Sequence, residues 1–309
     1  MKFSVLIPLY NGARFIGATL DSVVRQTYKN YEIVLVNDGS PDNVGEVVKN
    51  YISSHPRVKI IYIEQENKGL GGARNSAIKY ATGEIMALLD QDDIWYPEKL
   101  ERVAKAYKDD PEVSIVCHRQ YIRGKNGIIN VTAEMSYENE MHRTLLFNRG
   151  NFMTTSGTTF KKSVIERVGC FSEDIKNLHF LEDYDLWLKM ARAGYKFCFL
   201  SEVLGEYVRH SSNNFSDITL ICNSELYVLN LHYGLLEKKM ILDWYRIRRR
   251  RAVLFFYTAQ RSLLEAYAPL KMFIYLFRTL ISDPFFIFTL IMRTVKKTRL
   301  LMLEKGAIR

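Results

Sequence analysis

Three carboxylates crowd into four consecutive positions directly after an apolar run. The run spans residues 85–89, and the carboxylates belong to Asp90, Asp92 and Asp93. Like charges this close repel one another, and a bound cation would offset that cost. Mg²⁺ and Mn²⁺ are hard cations that prefer oxygen ligands and share their shell with phosphates. Because open α/β sheets bind ligands at strand ends, residues 90–92 predict a metal–diphosphate site; a solvated acidic turn is the alternative.

A second group of carboxylates opens a predicted helix at residues 182–192. It comprises Glu182, Asp183 and Asp185. The helix dipole favours negative charge in a first turn, so the group also has a purely structural interpretation. The pattern alone does not separate that interpretation from a catalytic one.

Three glycines, Gly69, Gly71 and Gly72, precede or open another predicted helix that runs to Ala81. Glycines at a helix start can bring backbone N–H groups near a phosphate. Their spacing matches neither a dinucleotide-binding fingerprint nor a P-loop. The glycines therefore give only a weak indication of phosphate binding.

Apolar runs and turn residues divide the first ninety residues into alternating strands and helices. Strands are predicted at 3–9, 31–36, 58–63 and 84–89, and helices at 14–26, 43–53 and 69–81. This alternation predicts βαβ units, an α/β fold and a parallel sheet. Further along, we predict a helix at 97–108, a hairpin of 113–122 with 127–131, a short helix at 138–147, strands at 154–160 and 195–209, and a helix at 161–168.

The chain has 309 residues, of which 48% are hydrophobic, so it can bury a full core. Its four cysteines form no CxxC pair and fit reduced thiols in the cytosol. The apolar run at the N-terminus is too short for a signal peptide, which predicts a cytoplasmic start. No uninterrupted apolar run approaches the roughly 20 residues that a membrane span needs.

The net charge of +9 is unevenly distributed. Residues 238–309 carry 16 Lys/Arg against four Asp/Glu, which gives +12, and the preceding 237 residues carry −3. From about residue 220 the chain also becomes helical, aromatic and basic. We therefore predict two regions, a domain at 1–215 and a helical C-terminal extension at 216–309.

Five motifs in one order resemble those of the family 2 glycosyltransferases. They are Ser4-Val5-Leu6-Ile7-Pro8-Leu9-Tyr10-Asn11, Ile33-Val34-Leu35-Val36-Asn37-Asp38-Gly39-Ser40, Asn67-Lys68-Gly69-Leu70-Gly71-Gly72-Ala73-Arg74-Asn75, Asp90-Gln91-Asp92-Asp93 and Glu182-Asp183-Tyr184-Asp185-Leu186-Trp187. The resemblance implies a GT-A fold, in which a Rossmann-like, mostly parallel central sheet is flanked by helices. It also implies a nucleotide-diphosphate sugar donor, a divalent metal (Mn²⁺ or Mg²⁺) and inversion at the anomeric carbon.

The resemblance assigns roles to single residues on the donor side. Asp38 matches an acid that accepts a hydrogen bond from the uracil N3–H. The remaining expected nucleotide contacts are Pro8, Tyr10, Asn11, Asn67, Arg74 and Asp90.

The resemblance also assigns the metal ligands and the groups on the acceptor side. Asp92 and His210 are the expected metal ligands. Asp183 matches the general base, and Glu182 is expected to position it or the acceptor. The implied mechanism is proton removal from an acceptor hydroxyl by Asp183 while charge on the leaving diphosphate is neutralised.

The basic C-terminal region predicts where such an enzyme works. Apolar residues share one face of a predicted helix: Leu270, Phe273, Ile274, Phe277, Leu280 and Ile281. The break Asp283-Pro284 follows, and then an apolar segment, 285–292, that ends in Arg293, Lys296, Lys297 and Arg299. A basic amphipathic helix indicates an interfacial membrane element; the alternative is a helical hairpin packed on the catalytic body or on a second subunit in a homo-oligomer.

The resemblance implies an inverting glycosyltransferase that uses a UDP-sugar and a saccharide acceptor, expected to be lipid-linked, in bacterial-type surface polysaccharide assembly. We expect it at the cytoplasmic face of the inner or plasma membrane. Nucleic acid is not an expected partner, because no reader motif accompanies the basic charge. The alternatives are a catalytically silent nucleotide-sugar-binding or scaffold protein and a sugar nucleotidyltransferase. The loop 10–14 matches the nucleotidyltransferase pattern poorly.

Overall fold

The computed structural model describes residues 1–134, 140–178, 180–210, 217–237, 239–264 and 268–286. The strands in these ranges are β1 (Phe3–Leu9), β2 (Tyr31–Asp38), β3 (Ile60–Gln65), β4 (Ile85–Leu88), β5 (Ile94–Trp95), β6 (Val113–Gly124), β7 (Gly127–Val131), β8 (Thr158–Lys161) and β9 (Lys196–Val208). The helices are α1 (Ile16–Val24), α2 (Val44–Ser54), α3 (Gly69–Tyr80), α4 (Lys99–Asp109), α5 (Met141–Arg143), α6 (Ser163–Val168), α7 (Ile175–Leu178), α8 (Glu182–Arg192), α9 (Ile218–Gly234), α10 (Ile241–Leu264) and α11 (Pro269–Ser282).

The described strands form one sheet in the order β3-β2-β1-β4-β8-β6-β9-β5, with β7 attached to β6. The first four strands pair in parallel, so that Val5 of β1 lies between Ile33 of β2 and Ala87 of β4. This confirms the predicted α/β fold, and these strands lie within two residues of their predicted bounds. The carboxyl ends of β1, β2 and β4 consequently share one edge of the sheet.

The second half of the sheet is mixed rather than parallel. β8 lies between β4 and β6 and runs antiparallel to both, while β5 runs antiparallel to β9. β6 and β9 pair in parallel, and the predicted hairpin of β6 with β7 is confirmed. The "mostly parallel" description therefore holds for the N-terminal half, where every crossover contains a helix.

Two predicted elements are wrong in part. The strand predicted at 154–160 begins only at Thr158, because residues 154–157 form a turn in which Gly157 N–H donates to the Thr154 carbonyl at 3.2 Å. The helix predicted at 138–147 is α5 followed by a π-helical turn, Thr144–Arg149, and residues 138 and 139 of that segment lie outside the described residues. The threonine-rich segment 154–160 has a strand-like sequence pattern, but only its last three residues, 158–160, lie in a strand.

The core forms around β1, which is buried along its whole length. Val5 and Ile7 pack in one cluster with Leu20 of α1 and Val103 of α4. Helix α3 contacts β1 and β2 as well. Because strands covered on both faces need apolar residues at every position, β1 reads as a continuous apolar run rather than an alternating one.

The glycines of α3 serve close packing. A Cβ on Gly71 would lie 2.1 Å from the carbonyl oxygen of Ser172, which backbone geometry cannot accommodate. A Cβ on Gly72 would lie 2.4 Å from the Cβ of Lys68. Gly71 thus lets α3 lie directly against the segment that precedes α8, and this approach determines where the side chains of α3 can reach.

The chain divides into two compact units, one of residues 1–145 and 149–214 and the other of residues 146–148 and 215–309. In the second unit, α10 and α11 form an antiparallel pair in which the rings of Phe255 and Tyr275 stack with centroids 6.2 Å apart. Arg248 donates to the carbonyls of Ile281 and Ser282 at 2.7 Å each, which satisfies the end of α11. The predicted helix end before Asp283 is confirmed.

The apolar segment predicted at 285–292 and the basic residues after it fall outside the described residues from 287 onward. None of the helices that the structure describes combines the length and apolarity that crossing a membrane requires.

Candidate active site

The loop after β1 carries three of the predicted nucleotide contacts. Pro8 is buried within β1, whereas Tyr10 and Asn11 are exposed just beyond its end. The backbone of Tyr10 exchanges two hydrogen bonds with the side-chain amide of Gln91, at 3.0 and 2.8 Å. Asn11 has a φ of 54° and its N–H donates to Ser40 Oγ at 2.7 Å. Gln91 therefore holds this loop against the acidic motif.

Asp38 lies at the carboxyl end of β2 and is 3% exposed. Its Oδ1 accepts hydrogen bonds from Gln65 Nε2 at 2.7 Å and from the N–H of Lys68 at 2.8 Å. Asn67 is exposed, and its Oδ1 accepts from the N–H of Gly69 at 3.1 Å. Because β1 and β2 run in parallel, this carboxylate and the loop after β1 share the edge of the sheet at which α/β proteins bind ligands.

Arg74 of α3 is 2% exposed and lies between two carboxylates. It donates to Asp90 Oδ1 at 2.8 Å and to Glu182 Oε1. Burial lowers the pKa of this guanidinium, but the charges of Asp90, Glu182 and Asp183 raise it by more, so it remains a cation. In this structure, Arg74 links the end of β4 to the start of α8.

The acidic motif meets the end of β9 through Asp92. His210 Nε2 lies 2.7 Å from Asp92 Oδ2, and the imidazole stacks on the ring of Phe15 with centroids 4.2 Å apart. Burial and the charge of Asp90 raise the pKa of Asp92, and the hydrogen bond with His210 lowers it in part. The two predicted metal ligands, 118 residues apart in sequence, are therefore in direct contact.

Asp93 has a structural role that the sequence did not indicate. It is 1% exposed and accepts a hydrogen bond from the N–H of Val208 at 2.9 Å. Burial and the charges of Asp92 and Asp90 raise its pKa well above the ordinary value. Because Val208 is two residues before His210, this bond brings the end of β9 to the acidic motif.

The pair of Asp92 and His210 suits a divalent cation. Among the described residues, no three His, Cys, Asp or Glu side chains stand close enough to hold a metal by themselves. Mg²⁺ commonly needs only one or two carboxylates, because substrate phosphates and water complete its shell. Burial, and after it the negative charge of Asp90, raises the pKa of Asp92, and a bound cation would stabilise its ionised form. The donor set therefore fits an ion that arrives with a diphosphate.

Asp183 lies in the first turn of α8 and is 8% exposed. Asn151 Nδ2 donates to its Oδ1 at 3.1 Å, and Thr155 Oγ1 donates to its Oδ2 at 2.9 Å. The N–H of Tyr184 also donates to Oδ1, at 2.5 Å. Three donors thus fix the orientation of this carboxylate, two of them from a segment that precedes it by about thirty residues.

The environment of Asp183 raises its pKa to about 7. Burial is the largest cause and the neighbouring charge of Glu182 is the next, while Arg74 and the hydrogen bonds from Thr155 and Tyr184 oppose the shift. A carboxylate with a pKa near neutrality is a better proton acceptor than an ordinary one and is still ionised in a useful fraction. Asp183 is therefore chemically suited to general-base catalysis.

The structure joins some predicted residues and adds others. Asp90, Arg74 and Glu182 form one hydrogen-bonded chain beside Asp183, and Asp92 meets His210. Motif matching missed several residues that hold these groups: Phe15, Gln91, Asp93, Asn151, Thr155 and Ser156. Only Gln91 and Asp93 carried a signal in the sequence, since both lie inside the acidic motif.

Comparison with protein families gives a match to the family described as "Glycosyl transferase family 2" over residues 4–169. An uncharacterized glycosyltransferase of Nostoc sp. is 37% identical over 172 residues, which are 54% of this chain and 53% of that protein. The amylovoran biosynthesis glycosyltransferase AmsB of Erwinia amylovora is 28% identical over 214 residues, 67% of this chain and 69% of its own. The chain thus spans little more than half the length of the Nostoc relative.

Two solved structures share the fold at low sequence identity. The TarS fragment 1–349 of S. aureus in complex with UDP-GlcNAc is 17% identical, with a TM-score of 0.61 over 91% of this chain and 81% of that one. The mannosyltransferase PcManGT of Pyrobaculum calidifontis in complex with GDP-Man and Mn²⁺ is 18% identical, with a TM-score of 0.57 over 91% and 86%. These similarities bear out the GT-A fold expected from the sequence.

Proposed function

This chain belongs to glycosyl transferase family 2, and from that premise we propose that it is an inverting glycosyltransferase. It moves a sugar from a UDP-sugar to a hydroxyl group of a saccharide acceptor. The observation that carries the proposal is Asp183, which is buried, oriented by three hydrogen-bond donors and poised to ionise near neutral pH. The Nostoc and Erwinia relatives named as glycosyltransferases support the same reaction type.

The donor side of the proposal rests on the shared edge of β1, β2 and β4. Asp38 is the expected partner of the uracil N3–H, and the loop 10–11 lies beside it. Structures of similar fold hold UDP-GlcNAc in one case and GDP-Man in the other. The choice of UDP for this chain therefore rests on Asp38, whose carboxylate can accept from uracil.

The proposed reaction assigns a role to each of these residues. Asp183 accepts the proton of the acceptor hydroxyl as that oxygen attacks the anomeric carbon, and the bond from that carbon to the diphosphate oxygen breaks. Attack opposite the leaving group inverts the configuration, so no covalent intermediate forms. A Mn²⁺ or Mg²⁺ ion held by Asp92 and His210 would supply charge neutralisation to the diphosphate. Arg74 forms ion pairs with both Glu182 and Asp90, which limits the negative charge around Asp183.

The test is a transfer and donor-hydrolysis screen across UDP-, GDP- and dTDP-sugars with Mn²⁺ or Mg²⁺. We expect turnover with a UDP-sugar and a product of inverted configuration. Asp183→Asn should lower transfer by about 10²–10⁴-fold while UDP binding persists. Glu166→Gln, which alters an exposed carboxylate of α6 in the same way, is the matched control.

Two outcomes would replace the proposal. Binding of UDP-sugars with no turnover under any metal would favour the silent nucleotide-sugar-binding or scaffold protein. Formation of a nucleotide-sugar from a nucleoside triphosphate and a sugar phosphate would favour the nucleotidyltransferase.

We further propose that the second unit binds an anionic membrane surface and that the acceptor is lipid-linked. The support is a row of exposed apolar side chains on α11: Leu270 (74% exposed), Phe273 (62%), Phe277 (64%) and Ile281 (59%). Lys271 and Arg278 are exposed on the same helix, and the region from 238 carries +12. Apolar insertion combined with attraction to anionic headgroups, worth about 1 kcal/mol per basic residue, suits such a surface.

The proposed location is peripheral, at the cytoplasmic face of the inner or plasma membrane, in assembly of a surface polysaccharide. Vesicle co-sedimentation with and without anionic lipid tests it. The variant Phe273→Ser/Phe277→Ser should weaken binding by about tenfold or more, because each phenylalanine contributes about 1.5–3 kcal/mol when buried. High salt should weaken it further. A full-length protein that stays in the supernatant at low salt would indicate that α11 contacts another part of the chain or a second subunit.

A further inference from the structure

The turn at residues 154–157 is fixed between two strands of the sheet. It leads directly into β8, which pairs with β4 on one side and β6 on the other. Thr158 N–H donates to the Thr155 carbonyl at 2.9 Å, and a Cβ on Gly157 would lie 2.8 Å from the carbonyl oxygen of His118. The backbone of the turn thus packs so tightly against β6 that it can move little.

The side chains of this turn reach both sides of the candidate site. Ser156 Oγ accepts from the N–H of Asp90 at 3.0 Å, and the Ser156 carbonyl accepts from Trp95 Nε1 at 2.7 Å. The neighbouring Thr155 is 9% exposed and donates to Asp183. A single turn therefore bonds to the end of β4 and to the carboxylate at the start of α8.

We propose that Thr155 and Asn151 are positioning residues for Asp183, an inference that rests on the proposed function. Each donates to a different oxygen of the carboxylate, at 2.9 and 3.1 Å. An amide N–H can only donate, so the bond from Asn151 favours the ionised carboxylate over the protonated form. The two bonds also fix the plane of the carboxylate and so direct the remaining lone pairs toward the acceptor hydroxyl.

The charges that face Asp183 come from three elements. Glu182 lies beside it on α8, Arg74 approaches from α3, and Asp90 reaches the same guanidinium from the end of β4. Asp185, further along α8, is paired with Lys189 at 2.6 Å. Thr155 and Asn151 are uncharged, so replacing them removes hydrogen bonds and leaves every one of these charges in place.

The experiment compares pH profiles of sugar transfer for the wild type, Thr155→Val and Thr155→Ser. Valine has nearly the same shape as threonine but no hydroxyl, so Thr155→Val removes a hydrogen bond that stabilises the ionised carboxylate of Asp183. The acid limb of the pH profile should therefore move up by about one pH unit. Maximal turnover should fall about tenfold, with KM for the nucleotide-sugar changed less than twofold. Thr155→Ser keeps a hydroxyl and should restore the limb to within about 0.3 pH units of the wild type.

Asn151→Ala is the second variant, because Asn151 is exposed and its truncation leaves no buried cavity. It should also move the limb upward, and it decides the matter if Thr155→Val does not fold. A limb that stays at the wild-type pH in a folded Thr155→Val or Asn151→Ala protein overturns the inference. The proposed function itself fails if the wild type transfers no sugar, or if Asp183→Asn keeps the acid limb of the wild-type pH profile.

Discussion

Acidification should abolish sugar transfer in a pH range where an ordinary carboxylate would still be fully active. Asp183 must be ionised to accept a proton, and its pKa is raised to about 7 by burial and by the charge of Glu182. With that value, the ionised fraction is about 90% at pH 8, about 10% at pH 6 and about 1% at pH 5. Transfer should therefore fall roughly 90-fold between pH 8 and pH 5. A carboxyl group at about 3.9 would lose less than a tenth of its ionised form over the same interval.

The assay measures kcat/KM for the acceptor between pH 5 and pH 9 at saturating metal and donor. UDP binding is measured at the same pH values, because protonation of Asp92, a proposed metal ligand on the donor side, would weaken donor binding instead. Glu166→Gln should follow the wild-type profile. A profile that is flat from pH 8 to pH 5 while UDP binding is retained would contradict the assignment of Asp183 as the base.

Three further predictions concern single residues. Asp92→Asn should lower transfer by at least about 100-fold and abolish the response to added Mn²⁺, because even residues that only support a ligand are worth 10–100-fold; metal titration of the variant checks this. Asp183→Asn should raise the free energy of unfolding at pH 8 by up to about 4 kcal/mol, because the pKa of Asp183 rises by about three units on folding and the ionised carboxylate therefore destabilises the fold. This gain should disappear near pH 4, and denaturant melts at both pH values test it. Lys99→Met should raise the melting temperature, because Lys99 is fully buried and its Nζ has no hydrogen-bond partner among the described residues, a cost of about 1–3 kcal/mol. A lowered melting temperature would show that the contact of Nζ with the Trp95 ring, 3.4 Å from its centroid, is worth more than that cost.

The parts of the fold that the sequence predicted are those with a local cause. β1, β2 and β4 are apolar because helices cover both faces, and α8 begins at carboxylates that its dipole favours. Residues 154–157 were predicted as strand because threonines favour strands, yet contacts with His118 in β6 bend them into a turn. That contact joins residues about forty positions apart, so no local pattern reports it.

In the candidate site as well, the sequence predicted the residues with a local signal and missed the contacts between distant segments. The sequence placed Asp38, Asp90 and Asp92 at strand ends, where the structure has them. It did not indicate that Arg74 would be buried between Asp90 and Glu182, because Glu182 is 108 residues away and the approach depends on Gly71. Nor did it connect Asn151 and Thr155 with Asp183, since uncharged polar residues carry no motif of their own.

The short strand β5 has a consequence for the order in which the protein is made. Among the described strands, Ile94 and Trp95 pair with Glu206 and Gly205 at the end of β9, and Asp93 accepts a hydrogen bond from the N–H of Val208. During translation, the acidic motif emerges more than a hundred residues before the strand that fastens it. A nascent chain that ends before residue 205 can already form the parallel half of the sheet, but its acidic turn lacks the contacts with β9. Such late, long-range pairing is slow to form, so the candidate nucleotide contacts exist in the growing chain well before the candidate site is complete.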